Sequence, residues 1–193
     1  MTTTRAVPRW IGPRVVLTIP EPSAAPRVVS YFSRNRERLT PVTPPWAPGF
    51  FTDEYHRRRI ELAHDEWQRE VSLRLYMFRR GHENGPVIGA VSFTQFFRLA
   101  LQRCILGYSV DAEHEGQGLL REGLEMAIAA LFEEHGLHRI EANYLPTNER
   151  SGRLLRRLGF QVEGYARDYL FLGDRWCDHI LTARTNPRPI QPF

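Results

Sequence analysis

Apolar and polar positions change period several times along the chain, and each change marks an element. Val15 to Ile19 is a short β-branched run closed by Pro20, and Pro22 to Leu39 reads as a helix with exposed arginines. A second helix is expected from Asp53 to about Glu70, with Tyr55, Ile60, Leu62, Ala63 and Trp67 on its more apolar side. Strict alternation then predicts three strands. Val71, Leu73, Leu75 and Met77 alternate with polar or aromatic neighbours, GHENGP makes a turn, Val87 to Phe97 runs back, and Leu101 to Val110 completes a meander.

Leu120, Leu124, Ala127, Ile128 and Leu131 recur at helical spacing, predicting a helix from about Gln117 to Glu134 with Gly136 as its stop. His138 to Leu145 alternates as a strand, Asn148 to Leu158 reads as a short helix followed by Gly159, and strands are expected over Gln161 to Leu172 and Arg175 to Ala183. This order favours an α/β (α+β) fold: one mixed, mostly antiparallel sheet flanked by helices. At 193 residues with 42% hydrophobic content, the chain is expected to be a single domain over 1–193.

Composition narrows the chemistry. All 26 basic residues are Arg, so a Walker A loop, a pyridoxal Schiff base and a lysine nucleophile are excluded. The net charge is only +4 and the arginines are spread along the chain, so no direct nucleic-acid function is expected. The longest apolar run, Met126 to Phe132, is far below the roughly 18 residues a bilayer demands, so no membrane role is expected and the cytoplasm is the expected compartment. Cys104 and Cys177 have no metal spacing and read as reduced thiols, while His114, His135, His138 and His179 form no ligand cluster, so no metal is expected. His179 reads as a packed or hydrogen-bonded strand residue. Trp46, in the stiff segment TPVTPPWAPG, either shapes a pocket or staples its loop to the core.

The chemically informative segment is the junction LGYSVDAEHEGQGLLR, residues 106–121. Gly116 and Gly118 stand where a helix begins, and a helix N-terminus offers unpaired N–H groups and partial positive charge to an anion. A dinucleotide fingerprint fails because Arg121 occupies its third glycine position, and Gly107-Tyr-Ser109-Val-Asp111 fails as a nucleophile elbow at its last position.

This junction, followed by HRIEANYLPTNERSGRLLRRLGF and EGYARDYLFLGDRWCDHILTA, resembles the GNAT acetyltransferase superfamily and, within it, the RimJ branch of the RimJ/RimL group. The likeness runs from about Arg14 to Pro187. It implies a three-layer fold with a splayed strand pair at an acetyl-CoA site, and N-terminal acetylation of a protein beginning with alanine, the expected partner being a small-subunit ribosomal protein. The family's cradle falls on Glu115 to Leu120, implying coenzyme contacts from Gly116, Gln117, Gly118, Leu119 and Leu120. Glu115 departs from the Gln or Arg usual there and would repel a pyrophosphate unless it points to solvent or pairs with an arginine. The backbone of Ser109 and Val110 is implied to contact the pantetheine arm, and Asn148 and Ser151, at the family's N-x-x-S, to reach the coenzyme near its sulfur. Asn148 as a mere N-cap, and Ser151 as a hydroxyl satisfied within its own turn, are the plainer alternatives.

The resemblance further implies direct attack of a neutral amine on the thioester, with Asp168 as base, directly or through a water, and Ser151 as proton donor. Asp168 could instead pair with Arg167 or another arginine; Glu141 and Tyr144 are the reserve candidates. A small-molecule amine as acceptor, or a non-catalytic module binding acetyl-CoA or the ribosome, are the rival functions.

Overall fold

The structure is a computed structural model that describes residues 5–188. Eight strands form one sheet: β1 (Arg9–Ile11), β2 (Val15–Thr18), β3 (Leu73–Arg79), β4 (Gly89–Phe97), β5 (Arg103–Val110), β6 (Arg139–Glu141), β7 (Gln161–Leu172) and β8 (Arg175–Thr185). The spatial order is β1-β2-β3-β4-β5-β6-β8-β7, antiparallel throughout except for β5 beside β6. Helices α1 (Ala25–Arg34), α2 (Arg36–Leu39), α3 (Asp53–Gln68), α4 (Leu119–Glu133) and α5 (Glu149–Arg157) complete the fold. The mixed, mostly antiparallel sheet expected from the sequence is the one observed.

Both faces of the sheet are covered, which is why β2 reads as an unbroken apolar run rather than an alternating one: Val15, Val16 and Leu17 are all fully buried. Gly123 of α4 lies against Leu17 and Met77 on one face. On the other, the Tyr31 hydroxyl of α1 meets Ser109 at 2.7 Å and Arg27 covers the Phe78 ring. From α3, Trp67 is buried and donates its indole N–H to the Ala6 carbonyl at 2.9 Å.

The expected helix over Pro22 to Leu39 is interrupted at Asn35. Its side chain is buried, donates to the Tyr31 carbonyl at 2.9 Å, and accepts from Arg38 at 2.9 Å and from the Ala112 N–H at 3.1 Å. A polar side chain that bonds locally competes with the helix ladder, and here it also ties α1 to the end of β5. The strand expected through Leu145 ends its ladder with β5 at Glu141, because the chain beyond pairs with β8 instead, through the bridge Tyr144 to Ile180. Trp46 donates to Thr40 Oγ1 at 2.9 Å and packs against Phe32 and Phe50, so it staples its loop. Among the described residues no helix is long and apolar enough to cross a membrane.

Candidate active site

β5 and β6 hydrogen-bond only from Arg103–Ile105 to Arg139–Glu141. β5 then continues to Val110 while the chain after β6 leans toward β8, so the two strands part and leave a wedge between them. Just past β5 the Asp111 N–H donates to the Ile88 carbonyl at 2.9 Å, and within the strand Ser109 is registered with Ala90. Because backbone groups of alternate residues point to opposite sides of a strand, Ser109 spends its N–H and C=O on β4, and Tyr108 and Val110 turn theirs toward the wedge. The Val110 carbonyl accepts a hydrogen bond from Arg38. Ser109 therefore offers its side chain, already bonded to Tyr31, rather than a free backbone.

The wedge opens into a cavity of about 560 Å³, within the size range of small-molecule sites. At its rim the chain turns through two left-handed glycines, Gly116 at φ 73° and Gly118 at φ 74°, into α4. A side chain on either would be strained, and a Cβ on Gly116 would stand in open space. The Glu122 N–H bonds back to the Gly118 carbonyl, so the N–H groups of Leu119, Leu120 and Arg121 precede the helix ladder and point outward along its axis. Gly116, Gly118, Leu119 and Leu120 line the cavity together with Ser109, Val110, Asn148 and Ser151. Of the expected coenzyme residues only Gln117 turns away, its side chain donating to the Glu113 carbonyl at 2.8 Å. Behind the turn, Arg14 donates to the Gln117 carbonyl at 2.9 Å and pairs with Glu122 at 2.7 Å. Burial works to raise the Glu122 pKa, but the N–H groups of Arg14 and Val15 and the Arg14 charge hold it below the usual carboxylate value.

Five arginines converge on the cavity: Arg38, Arg121, Arg150, Arg153 and Arg157. Three of them recur on one face of α5 at i, i+3 and i+7, a spacing visible in the sequence. Glu115 bridges two of these arginines, pairing with Arg38 at 2.9 Å and with Arg150. Its charge is thus neutralised within the site, and the surroundings remain strongly cationic.

Asn148 Oδ1 accepts from the Ser151 N–H at 3.1 Å, which makes Asn148 the N-cap of α5 as well as a lining residue. Ser151 Oγ is 2.7 Å from the Tyr108 hydroxyl, a partner 43 residues away that sequence reasoning missed. Burial pushes the Tyr108 pKa up to about 12, only partly opposed by the hydrogen bond to Ser151, so the phenol stays protonated at neutral pH. Beside them Tyr144 packs on Gly152, where a Cβ would come within 2.9 Å of the ring. Asp168 does not line the cavity. It lies in β7, one strand beyond β8, at φ 47° in a bulge, where its N–H donates to Asp178 Oδ1 at 2.8 Å. Glu141 is held by Arg103 at 2.6 Å and Arg139 at 2.9 Å. Cys104 and Cys177 are free thiols, and among the described residues no group of three His, Cys, Asp or Glu side chains could hold a metal ion.

A cationic cradle at a helix N-terminus, beside a splayed strand pair and a buried hydroxyl couple, is the working surface of an acyl-transferring enzyme that takes its acyl group from a phosphate-bearing carrier. The chain belongs to the acetyltransferase (GNAT) domain family, whose model matches residues 14–161. It is 37% identical over 187 residues to the [ribosomal protein uS5]-alanine N-acetyltransferase of Escherichia coli, covering 90% of this chain and 89% of that one. The crystal structure of ribosomal-protein-S5-alanine acetyltransferase from Vibrio fischeri superposes with a TM-score of 0.88 at 31% identity, over 94% of this chain and 100% of the other. Mycobacterium smegmatis RimJ, solved with a coenzyme A disulfide, shares the fold with a TM-score of 0.81 at 22% identity, over 97% of this chain and 91% of its own.

Proposed function

We propose that the protein transfers the acetyl group of acetyl-CoA to the free α-amino group of a protein N-terminus beginning with alanine, with ribosomal protein uS5 as its acceptor. The observation that carries this reading is the 37% identity spanning nine-tenths of the chain to an enzyme named for that reaction. Supporting it is the fit of the cavity to the co-substrate. The unpaired N–H groups opening α4, the two left-handed glycines and the five arginines suit the phosphates, and the inward backbone groups of Tyr108 and Val110 suit the amides of the pantetheine arm. For the last contact Arg38 has to release the Val110 carbonyl. The setting proposed is the cytoplasm, where thiols such as Cys104 and Cys177 stay reduced.

Bound acetyl-CoA supplies an activated thioester. The amine nitrogen forms a bond to its carbonyl carbon as the carbon–sulfur bond breaks. Ser151, on α5 at the wedge, delivers a proton to the departing sulfur, and Tyr108 replenishes it through their 2.7 Å hydrogen bond. An α-amino group, with a pKa of about 7.7 to 8.0, is partly neutral at assay pH and needs only modest assistance to lose its proton.

The deciding assay follows thiol release from acetyl-CoA with short peptides beginning with Ala, Ser or Met, an N-blocked control and several small amines, with intact mass read in parallel. Release confined to free Ala-led or Ser-led peptides, with one acetyl group added, is expected. Release with small amines alone would move the acceptor to a small molecule, and none with any acceptor would leave a binding module.

Glu115 carries its own prediction. Glu115→Gln frees Arg38 and Arg150 for phosphate, and coenzyme A should bind about three to ten times more tightly at low salt, with the gain shrinking as salt screens it. Calorimetric titration checks this; weaker binding would mean that Glu115 serves to hold the two arginines in place.

A further inference from the structure

The wedge has two faces, and the strand register sorts the side chains between them. Ile105 is paired with Glu141, so three residues further along each strand Tyr108 and Tyr144 stand level, and both turn to α5: Tyr108 to Ser151, Tyr144 onto Gly152. Tyr144 is bridged to Ile180 of β8, which shares that face. One step toward the open end, Ser109 on β5 and His179 on β8 therefore look out on the opposite face, the one covered by α1. His179 thus stands on the face away from the proton donor, one strand from Ser109, with the chain that follows β6 between them.

We infer that His179 is the group that takes the proton from the attacking amine, which would approach from the α1 face while the sulfur leaves toward Ser151 on the other. The inference rests on the acetyltransferase reading and deepens it. Its first support is the orientation of the ring. Nδ1 lies 3.0 Å from the Cys177 carbonyl, and since a carbonyl can only accept, Nδ1 carries the hydrogen and Nε2 of the neutral ring keeps its lone pair. His179 is buried, its ring packed against Tyr169 at 5.3 Å, and Tyr169 is itself held by Asn143 through a 2.9 Å hydrogen bond. Imidazole, anchor and packing partner are thus held together by a hydrogen bond and a ring contact.

The second support is the state of the other described groups on this face. Glu141 is bound to two arginines, the Tyr31 phenol is pushed up to about 12 chiefly by burial and bonded to Ser109, and Asn143 is neutral. Cys177, two residues further out, donates its thiol hydrogen to the Arg175 carbonyl. Asp111, at the end of β5, is spent on Arg34. The titratable groups nearest the ring are Tyr169 from β7 and Asp178, its neighbour in the chain, whose carboxylate is directed to Tyr165 and to the Asp168 N–H on the opposite face. Asp168 is separated from the wedge by the whole of β8. In the proposed step the nitrogen–carbon bond forms, the carbon–sulfur bond breaks, the amine proton passes to Nε2 and the sulfur receives one from Ser151. Solvent then takes the proton from the imidazole and returns one to the serine through Tyr108.

His179→Asn tests this, because an asparagine amide can still donate to the Cys177 carbonyl while nothing remains at the Nε2 position. The expected result is a fall in kcat of about thirtyfold or more and disappearance of the acid limb of the kcat–pH profile, with the acetyl-CoA dissociation constant and the melting temperature near wild type. His179→Ala assayed with added imidazole provides the second readout, and partial recovery of rate is expected. Retention of the acid limb in His179→Asn, or its loss in Asp168→Asn measured alongside, would overturn the assignment. An absence of turnover by the wild-type enzyme with every amine would instead defeat the acetyltransferase reading itself, so the two failures are distinguishable.

Discussion

Ser151→Ala is expected to lower kcat about 10²-fold while the dissociation constant of acetyl-CoA changes by less than about threefold, because Ser151 is placed to act on the sulfur as it leaves rather than to hold the coenzyme. Tyr108→Phe should cost about tenfold: it removes the 2.7 Å partner of Ser151 Oγ and leaves a hydroxyl in a wedge with one hydrogen bond fewer. The double variant is the informative one. If Tyr108 works only through Ser151, the double substitution should be no slower than Ser151→Ala alone, since residues acting in series are not additive. If the phenol itself donates to sulfur, Tyr108→Phe would be the severe single change and Ser151→Ala the mild one. With its pKa pushed up to about 12 by burial, Tyr108 should contribute no limb to the pH profile below pH 10, so an alkaline limb lost on Tyr108→Phe would also contradict this order of proton transfer.

What the sequence made legible followed from local periodicity. β5 and the glycine turn could be placed because alternation ends at Val110 and glycines recur at 116 and 118 just before a helical repeat, and these are the features that build the cradle. Asn148 and Ser151 were equally visible, for a cap and its N3 partner are three residues apart whatever the rest of the fold does. The contacts that reach across the fold were not. Tyr108 meets Ser151 across 43 residues, and Glu115 meets Arg38 across 77, so neither pairing leaves a periodic trace. Glu115 looked like an electrostatic liability because its two arginines belong to other elements. The bulge in β7, where the ladder steps from Ala166 opposite His179 to Leu170 opposite Cys177, was hidden for a related reason: the alternation of YARDYLFL can be read in either register until β8 is laid beside it. His179 illustrates the limit of residue-by-residue reading. A packed, hydrogen-bonded strand histidine is what the sequence suggests and what the structure contains, yet the bond that satisfies Nδ1 is also the one that, in the neutral ring, leaves Nε2 as the acceptor.

The second large effect is expected at a residue that touches no substrate. Asp111 is 2% exposed and takes three roles at the end of β5: it accepts from Arg34 of α1, it accepts from the Glu113 N–H at 3.2 Å, and its own N–H bonds to the Ile88 carbonyl, just before β4, at 2.9 Å. Arg34 in turn donates to the Val87 carbonyl at 2.5 Å, so one ion pair fastens a helix to the chain entering β4 and to the chain leaving β5, immediately before the anion cradle. Removing one partner of a buried pair leaves the other desolvated and uncompensated, at a cost of about 3 to 5 kcal/mol. The Arg34 side chain keeps 33% of its exposure and can be partly rehydrated, which places Asp111→Ala near the lower end. At about 2 to 4 °C per kcal/mol for a chain of this size, a melting temperature lower by about 6 to 12 °C is expected. Asp111→Asn should recover part of this, because its amide oxygen can still accept from Glu113. The cradle should suffer as well, since the loop 112–118 loses the tie that fixes its first turn, and coenzyme A affinity should fall even well below the new melting temperature. A shift under about 3 °C for Asp111→Ala, in calorimetry at neutral pH, would mean that the Asn35 side chain, through its bond to the Ala112 N–H, holds the junction without the ion pair.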